Sequence, residues 1–167
     1  MTSKLQKEVN QLYYGEGLSA AGFFVLWFGT AFFRPETRPF LLSPAASISL
    51  INICIILSTG SYFWGIMKWH VDERRLLKLT STQIQRFSRI HYLIITMAIL
   101  STLTIILSMP HSAEMWLLIA LTYIFMWLEY INYFHIRLSY LTPREFRQLL
   151  INRKVTPSHL NRALKNK

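Results

Sequence analysis

Four long apolar segments limit what this chain can fold into. They lie near residues 18–33, 44–69, 91–109 and 114–136, and they hold most of the apolar residues, which make up 52% of the sequence. A helix of roughly 20 apolar residues is long enough to span the hydrocarbon core of a bilayer, which is about 30 Å thick. The pattern therefore predicts an all-α integral membrane protein, with a four-helix transmembrane domain over residues 17–136.

The basic residues predict how these four helices are oriented. Of the 18 Lys and Arg residues, two precede the first apolar segment, six lie between the second and third, and eight follow the fourth. The opposite side carries Arg34 and Arg38. Because the cytoplasmic flanks of membrane proteins carry an excess of Lys and Arg, we expect both termini to be cytoplasmic.

Both ends of the chain are predicted to form helices outside the four apolar segments. Residues 1–16 repeat apolar side chains with a helical period, which predicts a cytoplasmic interfacial helix that ends at Gly15 and Gly17. Residues 137–167 form a basic cytoplasmic tail, in which a short repeat predicts two helices, each with a proline in its first turn. The two copies of the repeat are Leu141–Phe146 and Val155–Leu160.

The basic flanks are predicted to contact anionic lipid headgroups or an acidic partner protein. Nucleic-acid binding is not favoured, because the tail lacks the third helix and the core of a helical DNA-binding domain. The residues expected to make lipid or partner contacts are Arg74, Arg75, Arg144, Arg147, Arg153 and Lys154.

A polar layer is predicted near the cytoplasmic ends of the helices. Glu129 lies in the last apolar segment, where an ionised side chain costs up to roughly 3 kcal/mol, so we expect it to face protein. Asn132 shares its helical face at i+3, and His91 begins the third segment at a similar depth. Together with His135, these residues are the candidate cofactor-binding residues, and no catalytic residues or metal ligands are predicted.

Three interpretations of this layer stay open. In the first, Glu129 is structural and forms a hydrogen bond to another helix that holds the bundle together. In the second, the layer binds a metal, haem or chlorophyll; Glu129 and His135 lie about 120° apart on one helix, so another ligand such as His91 or His70 is needed. In the third, it relays protons or transports ions, with Glu16 at the entrance of the first segment.

Two resemblances involve this stretch. Glu129-x-x-Asn132 resembles part of the chlorophyll-binding E-x-x-N-x-R signature of the light-harvesting-like family, in which the Glu ligates magnesium and an Arg of a partner helix neutralises it. The residues that follow depart from this signature, and the next arginine is Arg137. The longer stretch Leu128–His135 (LEYINYFH) is similar to uncharacterised small multi-spanning membrane proteins of cyanobacteria. This resemblance implies a thylakoid or bacterial inner membrane.

These features favour a non-enzymatic function, as an accessory, assembly or stabilising subunit of a larger membrane protein complex. Ser19, Gly22 and Gly29 share one face of the first segment, which lets a neighbouring helix approach closely. No nucleophile elbow, phosphate loop or metal-hydrolase pair supports an enzyme. Two alternatives stay open: a cofactor-binding or redox membrane protein, and a proton-coupled carrier or small oligomeric channel.

Overall fold

A computed structural model describes residues 4–108, 112–136 and 157–165. Four helices in these ranges, α1, α3, α4 and α5, are long and apolar enough to cross a membrane, which confirms the predicted all-α class. In chain order the elements are α1 (Lys4–Phe33), a 3-10 turn (Pro35–Thr37), α2 (Arg38–Leu41), α3 (Pro44–Asp72), α4 (Ser81–Ser108), α5 (Ala113–Phe134) and α6 (His159–Lys165).

Local sequence determines where several of these helices begin. α3 starts at Pro44, because a proline at the first helical position loses no hydrogen bond. Thr80 and Gln83 form a reciprocal capping box before α4, with hydrogen bonds of 2.9 and 3.3 Å between each backbone N–H and the other side chain. Ser112 caps α5, since its hydroxyl accepts a hydrogen bond from the backbone N–H of Met115 at 3.2 Å.

The first helix differs from the prediction, because α1 is one continuous helix of 30 residues. The predicted end at Gly15 and Gly17 is wrong, and both glycines lie inside the helix without a positive φ. Gly17 lies where α1 and α3 approach closely: a Cβ there would lie 3.2 Å from the Ser61 hydroxyl. Ser61 in turn donates a hydrogen bond to the Tyr13 carbonyl at 3.1 Å. This contact with α3 outweighs the weak helix-ending tendency of glycine.

α3 is the central helix and packs against α1, α4 and α5. Half of the residues in its most apolar part are buried (50%), compared with 11% in α1 and 17% in α4. Buried polar side chains reinforce this packing. The Asn52 amide donates hydrogen bonds to the Ile94 carbonyl (3.0 Å) and to Met126 Sδ (3.2 Å), which joins α3 to both α4 and α5.

One end of the bundle brings together the start of α1, the end of α3, the start of α4 and the end of α5. Gln6 Nε2 donates to Asp72 Oδ1 at 3.2 Å, which joins the first two of these elements. We call this end the basic end, because the described part of the chain places most of its cations there. They are Lys4, Lys7, Lys68, Arg74, Arg75, Lys78, Arg86, Arg89 and Arg162.

The described part of the tail packs against the basic end. α6 follows Ser158, whose hydroxyl accepts from the Asn161 backbone N–H at 3.0 Å and donates to the Tyr133 carbonyl at 2.5 Å. The predicted proline in the first turn of this helix is wrong, because Pro157 precedes the capping Ser158 and pairs with Ile136 in an isolated bridge. The other predicted tail helix, with Arg144, Arg147, Arg153 and Lys154, lies outside the described residues.

Candidate functional site

Two histidines meet at one tyrosine hydroxyl at the basic end. His91 on α4 and His135 just after α5 each place Nε2 within hydrogen-bond distance of Tyr130 Oη, at 2.8 and 3.1 Å. A phenol carries one proton, so it donates to one imidazole and accepts from the other. His91 also stacks on Phe134, with ring centroids 4.8 Å apart, which fixes the imidazole plane. We call His91, Tyr130 and His135 the histidine–tyrosine cluster.

The structure therefore brings together two of the four predicted cofactor-binding residues, His91 and His135, through a residue that was not predicted. Tyr130 is 9% exposed and belongs to an aromatic row on α5. Its ring lies 5.5 Å from those of Trp127 and Phe134, at i−3 and i+4. The i−3 and i+4 spacing of these aromatic residues is the sequence pattern that could have indicated a buried aromatic stripe beside the histidines.

Glu129 and Asn132, the other two predicted residues, belong to a second group. The Glu129 carboxylate interacts with the Asn132 side chain one turn along α5 and with the Glu16 carboxylate of α1. Among the described residues, no hydrogen bond or ion pair joins Glu129 to either histidine of the cluster. His70 also lies apart, because its Nδ1 pairs with the Ile66 carbonyl of its own helix at 2.9 Å.

A small cavity of about 50 Å³ lies next to this second group, between α1, α3, α5 and α6. Tyr133 is one of the side chains that line it. Its ring packs against the backbone of α3 at Gly60, where any Cβ would overlap the ring. The residues that line the cavity are Glu8, Leu12, Glu16, Phe63, Trp64, Asn132, Tyr133, Ser158, His159 and Leu160.

The proximity of Glu16 to Tyr133 was not predicted. Glu16 was placed at the entrance of the first apolar segment, and Tyr133 follows Glu129 at i+4 on the same face of α5. Both residues were therefore visible as candidates. Their proximity depends on how α1 packs against α3 and α5, which no local pattern specifies.

The chemistry available at these two groups is limited. Among the described residues, no three His, Cys, Asp or Glu side chains form a group that could hold a metal ion. The histidine–tyrosine cluster offers two imidazole nitrogens and one phenol oxygen. The cavity offers carboxylate, hydroxyl and amide groups next to the Trp64 ring.

Arg74 and Arg75, which were expected to contact lipid or a partner, are exposed in the connection between α3 and α4. Arg75 forms an ion pair with Glu73 at 3.1 Å and lies over the Trp69 ring.

Comparison of the chain with protein-family models, with curated proteins and with solved structures gives no match, so no activity, ligand or partner follows from similarity to a known protein.

Proposed function

We propose that this protein is a non-enzymatic accessory subunit that packs, through α1, against a transmembrane helix of a larger membrane protein complex. One observation carries the proposal: α1 presents a glycine at every seventh position on a face that no other part of the described chain covers. A Cβ at Gly15, Gly22 or Gly29 would have nothing within 4 Å. The opposite side of α1 faces the bundle and carries the buried residues Val9 and Ala20.

Large apolar side chains flank these glycines on the same face. Together they form the outer face of α1, and each of the large side chains is at least 66% exposed. The outer face consists of Gly15, Gly22 and Gly29 with Leu18 (71% exposed), Val25 (66%), Leu26 (70%), Phe32 (71%) and Phe33 (81%).

The glycines favour a helix, rather than lipid alone, as the neighbour of this face. Glycine costs about 1 kcal/mol relative to alanine within a helix, and lipid contact does not require it. Small residues at a helix interface let two backbones approach closely, which is the main source of helix association in a bilayer. The described connections between the long helices are short, so we assign the function to helix packing rather than to an aqueous domain.

The proposed setting is a bacterial inner membrane or a thylakoid, with both termini in the cytoplasm and anionic lipid headgroups at the basic end. The gathering of cations at one end supports this orientation, since Arg34 and Arg38 lie at the other end beyond α1. The exposed Arg74 and Arg75 are suited to lipid phosphates.

Replacing two glycines of the outer face tests the proposal. Gly22→Leu combined with Gly29→Leu is expected to reduce recovery of the partner at least about tenfold, because the added side chains keep the two backbones apart. The measurement is purification in mild detergent followed by mass spectrometry of stoichiometric co-purifying proteins. The thermal unfolding midpoint of the subunit itself should stay the same or rise, since both positions face open space and leucine favours a helix more than glycine does.

Ala120→Leu is the matched control, because Ala120 is an exposed small residue on α5, away from the outer face. This variant should retain the partner. Recovery of the same partner with the double glycine variant contradicts the proposal. So does a result in which the wild-type protein binds only a second copy of itself.

A second candidate function is cofactor binding, and the convergence of His91 Nε2 and His135 Nε2 on Tyr130 Oη favours it. Imidazole and phenol oxygen donors suit zinc, copper and iron. If the candidate is correct, protein purified from its native membrane carries about one metal or haem per chain, and His91→Ala removes it. His159→Ala is the control, since His159 lines the cavity instead. Purified protein with no visible absorbance and no bound metal contradicts it.

A further inference from the structure

Tyr133 carries a buried polar atom that points to a ligand. The side chain is 6% exposed and lines the cavity between α1, α3, α5 and α6. Its hydroxyl makes no hydrogen bond of normal geometry, although the Glu16 carboxylate faces it. Buried hydroxyls in folded proteins nearly always have a partner, so an unpaired one indicates a bound water or ion.

The charged groups that act on the Tyr133 hydroxyl are both carboxylates. Glu16 lines the cavity beside Tyr133, and the Glu129 carboxylate lies close enough to interact with both residues. Within residues 4–108, 112–136 and 157–165, no Lys or Arg side chain forms an ion pair with Glu16 or Glu129. Neighbouring carboxylates repel each other unless a proton or cation lies between them.

The rest of the lining is also suited to a cation. Glu8 and the Trp64 side chain also line the cavity. Aromatic rings attract cations through their negative faces. His159 is the other titratable group of the lining, and its ring lies 5.4 Å from that of Trp64.

The size of the cavity limits the ligand. A volume of about 50 Å³ holds a few water-sized species, so it excludes bulky organic cations. Calcium takes about six to eight oxygen ligands, often from several carboxylates, and the described residues form no group of three or more His, Cys, Asp or Glu side chains that could hold a metal ion. We propose that this cavity binds a small monovalent cation through the Glu16 carboxylate and the Tyr133 hydroxyl oxygen, with water completing its coordination.

Sodium, potassium and ammonium each carry one positive charge and bind oxygen atoms, which the site provides. A series of salts shows which of these cations binds. The full-length protein in detergent is titrated with NaCl, KCl or NH4Cl, with choline chloride keeping the ionic strength constant. At least one small cation should raise the unfolding midpoint by about 5 °C, in a saturable way, because it binds only the folded state. Choline is too large for the cavity and should have no such effect.

Three variants test whether the cation that shifts the unfolding midpoint binds in the cavity. Glu16→Gln and Tyr133→Phe each remove one proposed ligand with little change in shape, and each should abolish the cation-dependent shift. Glu114→Gln is the matched control, because Glu114 is exposed in the first turn of α5, at the opposite end of the bundle, and it should retain the shift. If Glu16→Gln does not fold, Tyr133→Phe still tests the proposal.

Fluorescence gives a second, local measurement. The small cation should change tryptophan emission in the wild-type protein, and Trp64→Phe should remove this change while the other tryptophans remain. Equal effects of all four salts on the unfolding midpoint overturn the proposal, since they show that the cavity holds water and protons only. A cation-dependent shift that survives in both Glu16→Gln and Tyr133→Phe overturns it as well.

Discussion

Gly60→Ala is expected to destabilise the folded protein by about 3 kcal/mol. The reason is steric: a Cβ at Gly60 would lie 2.6 Å from the Tyr133 hydroxyl oxygen and still closer to the ring carbons. Tyr133 is 6% exposed and lies against α1, α3 and α6, and the adjoining cavity of about 50 Å³ is too small to take up the displaced ring. The measurement is the free energy of unfolding in detergent, by thermal or denaturant titration.

Two further variants separate this steric effect from the general effect of replacing a glycine in a helix. Gly22→Ala introduces the same methyl group into open space, so it should leave stability unchanged or raise it by up to about 1 kcal/mol. Tyr133→Ala removes the ring, and Gly60→Ala should then cost much less than it does in the wild-type background. A Gly60→Ala protein as stable as the wild type would show that the ring does not pack on this backbone.

Asn52→Asp is expected to have a similar or larger effect, at about 3–5 kcal/mol. Asn52 is fully buried, and its amide nitrogen donates to the Ile94 carbonyl at 3.0 Å and to Met126 Sδ at 3.2 Å. An aspartate would place an acceptor oxygen or a negative charge against that carbonyl. The hydrogen bonds that join α3 to α4 and α5 would be lost, and the charge would have no partner. Unfolding in detergent and the amount of folded protein in membranes are the measurements.

Asn52→Ala provides the comparison, because it removes the amide without adding a charge. Hydrogen bonds between membrane helices contribute about 0.6–2 kcal/mol, so this variant should be clearly more stable than Asn52→Asp. If the two variants are equally stable, the amide nitrogen does not face the Ile94 carbonyl in the folded protein.

The four long helices were predictable because crossing a membrane is a local requirement. A run of apolar residues must be long enough, and its ends must carry polar or helix-breaking residues, as at Arg34 and Pro44. The structure places α3 over Pro44–Asp72 and α5 over Ala113–Phe134, close to the predicted bounds. The basic end follows from the same kind of local information, since the flanking cations are adjacent in sequence to the segments that they orient.

Half of the candidate site was predictable for a related reason. Depth along a helix can be counted from the sequence, and His91 and His135 were expected at the same level. The rotation of each helix about its own axis cannot be counted in this way. That rotation places Tyr130 between the two histidines, and it turns Glu129 toward Glu16 of α1.

The amino-acid sequence by itself therefore determined the number of helices, their apolar lengths and the end at which the cations gather, because each depends on residues close together in the chain. The tertiary structure decided that α1 continues through Gly15 and Gly17, that Gly60 accommodates the Tyr133 ring, and that Glu16 faces the cavity. These features depend on contacts between residues more than 40 positions apart, and only the packing of the helices against α3 brings such residues together.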